Sequence, residues 1–375
     1  MHRPVMGVTL LEHELSEVRS LIERQTGILL DCPNSALAAH IAQYLETHEL
    51  AAPAELLDRL RTSELDPSVT AAFLDGILNT NTGFFRHPGA MNALAHQIVP
   101  QISARKSEDG ACTLRIWSAG CSTGEEPYSI AMALCDALAG NEASGSNGNG
   151  NGNGSGNSKD KDKEKETKAG RNGSAGDNSH APLATKEWSI HIVGSDVLPP
   201  LIKAAERGVY PQSALTGLPP AMIRACFSKV ANGNGNSNAG QDGASNGNGN
   251  GNQNGGSAKA SGIGSSSGSN GNNGVQLAVK PRLRSMVTFN TMNLTKPVYI
   301  GRFDCIFCMD VLPHLSRGQR AALIERLHLY LEPGGYLFLS QTEKLFAPNL
   351  NFRSESFDGY TYHRKPVAAS GAYGR

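Results

Sequence analysis

The chain has 375 residues, with 34 basic and 34 acidic side chains and a formal net charge of +0. That balance excludes a nucleic-acid partner held by bulk electrostatics. No apolar stretch approaches membrane-spanning length, and the start, MHRPVMGVTLLEHELSEVRS, breaks its apolar run with acids, so neither membrane insertion nor secretion is expected.

In chain order, the first signals are helical. Leu15, Val18, Leu21 and Ile22 keep one face apolar, as do Leu56, Leu57 and Leu60, and then Ala71, Phe73, Leu74, Ile77 and Leu78. This spacing predicts an N-terminal helical domain over residues 1–78. From Arg115 strand and helix patterns alternate across a second domain, residues 79–375. The expected strands are 114–119, 188–196, 286–293, 303–311 and 334–341, and the expected helices 126–138, 199–207 and 317–331. Alternation of this kind predicts an α/β fold with a doubly wound, mainly parallel sheet that binds ligands at the strand carboxyl ends.

Two Gly/Asn/Ser tracts, residues 141–181 and 231–274, carry almost no apolar side chains and cannot offset the entropy of ordering. They are expected to be disordered inserts. The alternating-sign run KDKDKEKETK within the first reads as a solvated loop. The second separates two short alternating segments, Ala225–Val230 and Val275–Lys280.

The seven cysteines, Cys32, Cys112, Cys121, Cys135, Cys226, Cys305 and Cys308, form an odd and scattered set, read as reduced thiols in a cytoplasmic protein. Cys305 and Cys308 share one apolar strand, where residues three apart point to opposite faces. No second ligand pair is present, so buried thiols are expected and no metal.

The most informative segment is Leu114 to Ser129, LRIWSAGCSTGEEPYS. It reads as a buried strand, a tight small-residue turn and a helix start carrying Glu125 and Glu126, with Pro127 tolerated in the first turn. Such a turn ordinarily receives a phosphate at the positive helix end. Two glutamates repel a phosphate and favour a nucleoside ligand bearing positive charge, as S-adenosylmethionine does. The turn also lacks G-x-G-x-x-G, which argues against an NAD-linked dehydrogenase. The later strands end in polar residues too. Asp196 is placed to grip ribose hydroxyls, Asn293 and Leu294 suit the edge and face of adenine, and Asp310 and Val311 follow the fourth strand.

These residues belong to long motifs: TNTGFFR at Thr80 to Arg86, SxxxSTGEEPYS at Ser118 to Ser129, GSD at Gly194 to Asp196, RGVY at Arg207 to Tyr210, FDCIFC, and LEPGGYLFLSQTEKL ending in Leu345. In them the sequence resembles the CheR family, the S-adenosylmethionine-dependent methyltransferases that esterify glutamate side chains of bacterial chemoreceptors. The resemblance covers nearly all of the chain outside the two tracts. It implies a class I methyltransferase-like fold, with S-adenosyl-L-methionine as cofactor and S-adenosyl-L-homocysteine as product. It also implies a small antiparallel β subdomain inserted over residues 208–287, in which the second tract, 231–274, is the tip of a hairpin.

By the same resemblance, Thr80, Thr82 and Arg86 fall at the ligand pocket, Glu126 meets the cofactor near its ammonium, and Asp196 binds ribose. Asn293 and Leu294 contact adenine, and Asp310 and Val311 give the fourth-strand contacts. Thr80 and Asp310 stand where the family usually has asparagine, Met309 where it has arginine, and His314 where it has tyrosine. Arg86 is the expected catalytic clamp on a carboxylate of the acceptor or of the cofactor, and with Thr80 and Thr82 an expected cofactor contact, with His314 beside the entry of the methyl acceptor.

The implied partner is an acidic helical region of a receptor or other signalling protein, met by a monomer, with peptide docking on the inserted subdomain in some members. The family's basic helix corresponds to Ser35–Leu50, which here holds no lysine or arginine, so steering of an acidic partner is weak. The alternative is a catalytically degenerate relative that senses S-adenosylmethionine or its product.

Overall fold

The computed structural model describes residues 10–62, 67–77, 82–108, 113–145, 188–230, 275–297 and 300–367. Residues 146–181 of the first tract and all of the second lie outside the described residues, as do Thr80 and Leu78.

The N-terminal segment folds as α1 (Glu12–Thr26), α2 (Asn34–Thr47), α3 (Pro53–Thr62) and α4 (Pro67–Asp75). The apolar stripes meet as their spacing requires. Leu15, Val18, Leu21 and Ile22 pack with Leu37 and Ile41, with Leu56, Leu57 and Leu60, and with Phe73 and Leu74. Helix α1 stops at Gly27, whose left-handed backbone (φ 80°) returns its N–H to the Glu23 carbonyl.

The chain then runs through α5 (Pro88–Ala93), a π-helical turn (Leu94–Ile98) and α6 (Val99–Glu108) into β1 (Thr113–Ala119) and α7 (Glu125–Gly145). There follow β2 (Ser189–Asp196), α8 (Pro199–Arg207), β3 (Val209–Pro211), α9 (Pro220–Cys226), β4 (Phe227–Lys229), β5 (Gln276–Val279), α10 (Pro281–Arg284), β6 (Val287–Thr291) and β7 (Phe303–Phe307). The last elements are α11 (Arg317–Tyr330), β8 (Leu331–Phe338), β9 (Arg353–Phe357) and β10 (Tyr360–Arg364).

A seven-stranded sheet has the order β6-β2-β1-β7-β8-β10-β9. The five strands from β6 to β8 are parallel neighbours, and β10 runs antiparallel to both β8 and β9. Winding goes outward from β1 to β2 and β6, then returns to β7 on its other side. The order therefore reverses between β1 and β7, which opens a crevice at the carboxyl ends of the strands. A separate antiparallel sheet, β3-β5-β4, forms the small inserted unit. Its pairing of Lys229 with Leu277 brings the two ends of the second tract together. Cys305 packs into the apolar cluster on one face of the large sheet and Cys308 into the cluster on the other.

The main boundary differences lie at α7, β6, β7 and β8, the last of which runs Leu331–Phe338 instead of 334–341. Helix α7 begins at Glu125 and continues to Gly145, into the start of the first tract. Once a helix is nucleated, each further residue adds a bond at low cost, and no proline stops it there. Strands β6 and β7 end at Thr291 and Phe307, short of Asn293 and Val311. The chain leaves the sheet early, and Asp310 adopts φ 58°, outside any extended conformation. The C-terminal hairpin β9–β10 was not among the expected strands. Its two-residue turn, Asp358-Gly359, has both residues at positive φ and follows Phe357, which pairs with Tyr360. An Asp-Gly pair between alternating segments is the ordinary hairpin signal.

Candidate functional site

The crevice at the switch point is a cleft of about 210 Å³. Thr82, Arg86, Glu126, Asp196, Leu294, Asp310, Val311 and His314 all line it, as does Met309. Asn293 does not. Its amide donates to the Gln25 carbonyl at 2.8 Å and accepts from the Thr295 N–H and hydroxyl at 2.9 and 2.7 Å.

The turn after β1 is held from below. The N–H groups of Gly120 and Cys121 donate to the Ser195 carbonyl at 2.8 and 2.9 Å. Gly120 sits at φ 84°, and a β-carbon there would lie 2.5 Å from Val311 Cγ2, so only glycine allows the two loops to meet. Asp196 accepts from the N–H of Ser122 and the N–H of Leu198, each at 3.0 Å. Burial raises its carboxyl above the usual range, and these backbone donors oppose the rise. The Tyr210 hydroxyl, from the RGVY segment, donates to the Thr123 carbonyl at 2.7 Å and ties the small sheet to the turn.

The two glutamates divide. Glu125 is buried, accepts from the Thr123 hydroxyl at 2.7 Å and is also bonded by Thr82, so it braces the turn from outside the cleft. Glu126 alone faces the cleft, with the Ser118 hydroxyl on its carboxylate at 2.7 Å. Burial pushes its carboxyl up to about 7; the carboxylates of Asp310 and Glu343 add to the rise, while Ser118 and Arg86 oppose it. Of the expected glutamate pair, only Glu126 presents its carboxylate to the cleft, with Asp310 and Glu343 near enough to raise it.

The TGFFR segment is fixed by its aromatics. Phe84 packs edge-on to Tyr210 and Phe227, and the Phe85 N–H donates to the Ser129 hydroxyl at 2.9 Å. Arg86 follows and places its guanidinium 3.2 Å from Asp310 Oδ2. The next residue, His87, brings Nε2 to 2.9 Å from the same oxygen. Asp310 is aimed there by Glu343, whose carboxylate accepts from the N–H groups of Asp310 (3.1 Å), Leu312 (2.9 Å) and Ser340 (2.8 Å).

The other end of the cleft is apolar. Ile28, Leu198, Leu201 and Leu294 form its wall. Ile28 comes from the loop after α1, which also bonds the far side of the site through the Leu29 N–H and the His314 carbonyl at 2.8 Å. Sequence reasoning missed Ile28, Leu198, Leu201, His87 and Glu343. Glu343 lay within the quoted TEKL block. The others carry no local signal, because their neighbours are distant in sequence.

A model of the CheR methyltransferase SAM-binding domain matches residues 80–145 and 267–360. Chemotaxis protein methyltransferase 1 of Pseudomonas aeruginosa is 25% identical over 87% of this chain and 88% of its own length. The chain belongs to the CheR methyltransferase family. A second relative, the chemotaxis protein methyltransferase of Vibrio parahaemolyticus, is 23% identical over 90% of this chain and 92% of its own. Among solved structures, magnesium protoporphyrin IX methyltransferase from Synechocystis with bound SAM aligns with 82% of this chain and 91% of that one. The identity is 14% and the TM-score 0.26, too low to add to what the sheet topology shows. The segments matched by the CheR model contain Thr82, Arg86, Glu126, Leu294, Asp310, Val311, His314 and Glu343; Asp196 falls between them.

Proposed function

We propose that this CheR-family chain transfers a methyl group from S-adenosylmethionine to a glutamate side-chain carboxylate of a chemoreceptor-like protein, giving a glutamyl methyl ester. The observation that carries the reading is the charge layout of the cleft. Three carboxylates, Glu126, Asp196 and Asp310, line it, and Glu126 and Asp196 carry no ion-pair partner there among the described residues, whereas Arg86 is the one arginine or lysine among the described lining residues and pairs with Asp310.

The residues present fit the cofactor. Glu126 would meet its ammonium, Asp196 its ribose hydroxyls, and Ile28, Leu198, Leu201 and Leu294 its base. S-adenosylmethionine, when bound, supplies a methyl group on a sulfonium, which needs no metal to be electrophilic. The acceptor carboxylate has an ordinary pKa near 4.3 and is already an anion at neutral pH, so no general base is required. What remains for the protein is positioning and exclusion of water. Arg86 would hold the acceptor carboxylate, with His314 at the entry.

The partner we propose is an acidic helical region of a receptor, met in the cytoplasm by a monomer, with a peptide docking on the β3-β5-β4 sheet. Among the described residues no helix is long and apolar enough to cross a membrane. Incubation with labelled cofactor and receptor-type peptides should give methyl groups released as methanol in mild alkali. Arg86→Ala should lower transfer more than tenfold while changing S-adenosylhomocysteine affinity less than threefold, as expected of a charge-assisted contact to the acceptor. Intact cofactor binding with no alkali-labile methyl on any host protein would leave only a sensor.

A further inference from the structure

Asp310 is the residue whose placement the transfer reaction does not itself require. Three features act on it together. It holds a left-handed backbone (φ 58°) that aims its side chain across the cleft instead of along the strand. Glu343 fixes that backbone through the Asp310 N–H. One carboxylate oxygen, Oδ2, then takes both Arg86 and His87, at 3.2 and 2.9 Å. The cation assigned to the acceptor is therefore already engaged by a carboxylate of the chain itself.

We infer that Asp310 is an internal stand-in for the acceptor: its carboxylate occupies Arg86 until a substrate glutamate displaces it, and it so sets how tightly acceptors bind. This rests on the reading of Arg86 as the acceptor clamp. Asp310 is a positioning residue here, acting through Arg86. The exchange is one carboxylate for another on the same guanidinium, so no bond is made or broken and no proton moves. It is also within reach energetically. The side chains of Arg86 and Asp310 are 46% and 33% exposed, and ion pairs of that exposure are weak. Asp310 therefore acts as a filter that an acceptor offering further contacts overcomes, while an isolated carboxylate does not.

Asp310→Asn removes the charge and suits the backbone, since asparagine adopts positive φ more readily than most residues. Binding of a fluorescently labelled, glutamate-rich helical peptide to the full chain is the measurement, in four proteins: wild type, Asp310→Asn, Arg86→Ala and the double variant. Asp310→Asn should bind the peptide about fivefold tighter than wild type, the scale of a half-exposed ion pair. In the Arg86→Ala background the same substitution should change affinity less than twofold. Modification of Arg86 by phenylglyoxal, followed by mass spectrometry, should run several-fold faster in Asp310→Asn.

An unchanged or weaker affinity in Asp310→Asn overturns the inference. So does an equal gain with and without Arg86, which would make Asp310 a general repelling charge. The measurement calls on no methyl transfer. Failure of the transferase reading would appear separately, as wild-type protein that binds no S-adenosylhomocysteine or yields no methyl ester.

Discussion

At the level of single residues, Glu126 gives the sharpest consequence. Its carboxyl titrates at about 7 because burial and two neighbouring carboxylates disfavour its charge. In the unfolded chain it titrates near 4.3. The folded protein thus binds more protons between these values, so this group's contribution to stability is complete below the unfolded value and is lost as pH rises toward about 7. Cofactor affinity runs the other way. A ligand ammonium beside Glu126 favours the ionised form, so binding below about 7 must release a proton. Calorimetry with S-adenosylhomocysteine should show affinity falling several-fold for each pH unit below about 7 and flat above it. Glu126→Gln should bind more weakly at high pH and lose that dependence. A flat profile in the wild type would place the ligand's charge elsewhere. The local pattern alone displays Glu125 and Glu126 as equivalent acids, and it is the family resemblance that singles out Glu126; what turns it to the cleft is tertiary placement, through Thr82, Thr123 and Ser118. His87 and Glu343 escaped notice for the same reason, since their partner Asp310 is remote from one and reached only through a loop from the other.

Elements rather than residues decide how the cleft is closed. The loop after α1 crosses to the loops after β6 and β7, and Gly27 is its tightest point. A β-carbon there would lie 2.1 Å from Thr295 Cγ2, and the backbone is at φ 80°. Asn293 locks the same junction through the Gln25 carbonyl. Gly27→Ala should therefore destabilise the fold by about 2 kcal/mol, a positive-φ cost with a clash added, and should weaken S-adenosylhomocysteine binding because Ile28 is carried away from the cleft. Thermal unfolding and calorimetry check both. Undiminished stability would mean that the helical segment is free of the sheet domain. The parallel strands and the helices were legible in the sequence because their periodicity is local. The departures of β6 and β7 from the sheet were not, since Asn293 and Asp310 sit in segments that still read as extended. The hairpin β9–β10 was missed, although Asp358-Gly359 carries its local signal.

For the whole molecule, the question is what the two Gly/Asn/Ser tracts do to a fold that is otherwise accounted for. We propose that residues 231–274 are dispensable for folding and cofactor binding. The antiparallel pairing of β4 with β5, continued by the Val230 N–H to the Gln276 carbonyl at 3.0 Å, already brings the tract's ends to hairpin distance. A short turn can span such ends. Loop-closure cost grows with the logarithm of length, so a roughly tenfold shorter connection should stabilise the chain by about 2 kcal/mol if nothing else changes. Replacing residues 231–274 with a four-residue Asn-Gly turn should accordingly raise the unfolding midpoint by a few degrees and leave S-adenosylhomocysteine affinity within about twofold. The small sheet is tied to the cofactor turn through Tyr210, so damage to it would be felt at the cleft and would appear as weaker cofactor binding. A lower midpoint would show that the tract packs on the domain, and that its composition had misled. An unchanged fold with loss of methyl transfer only to a receptor-type peptide would instead assign the tract to the partner.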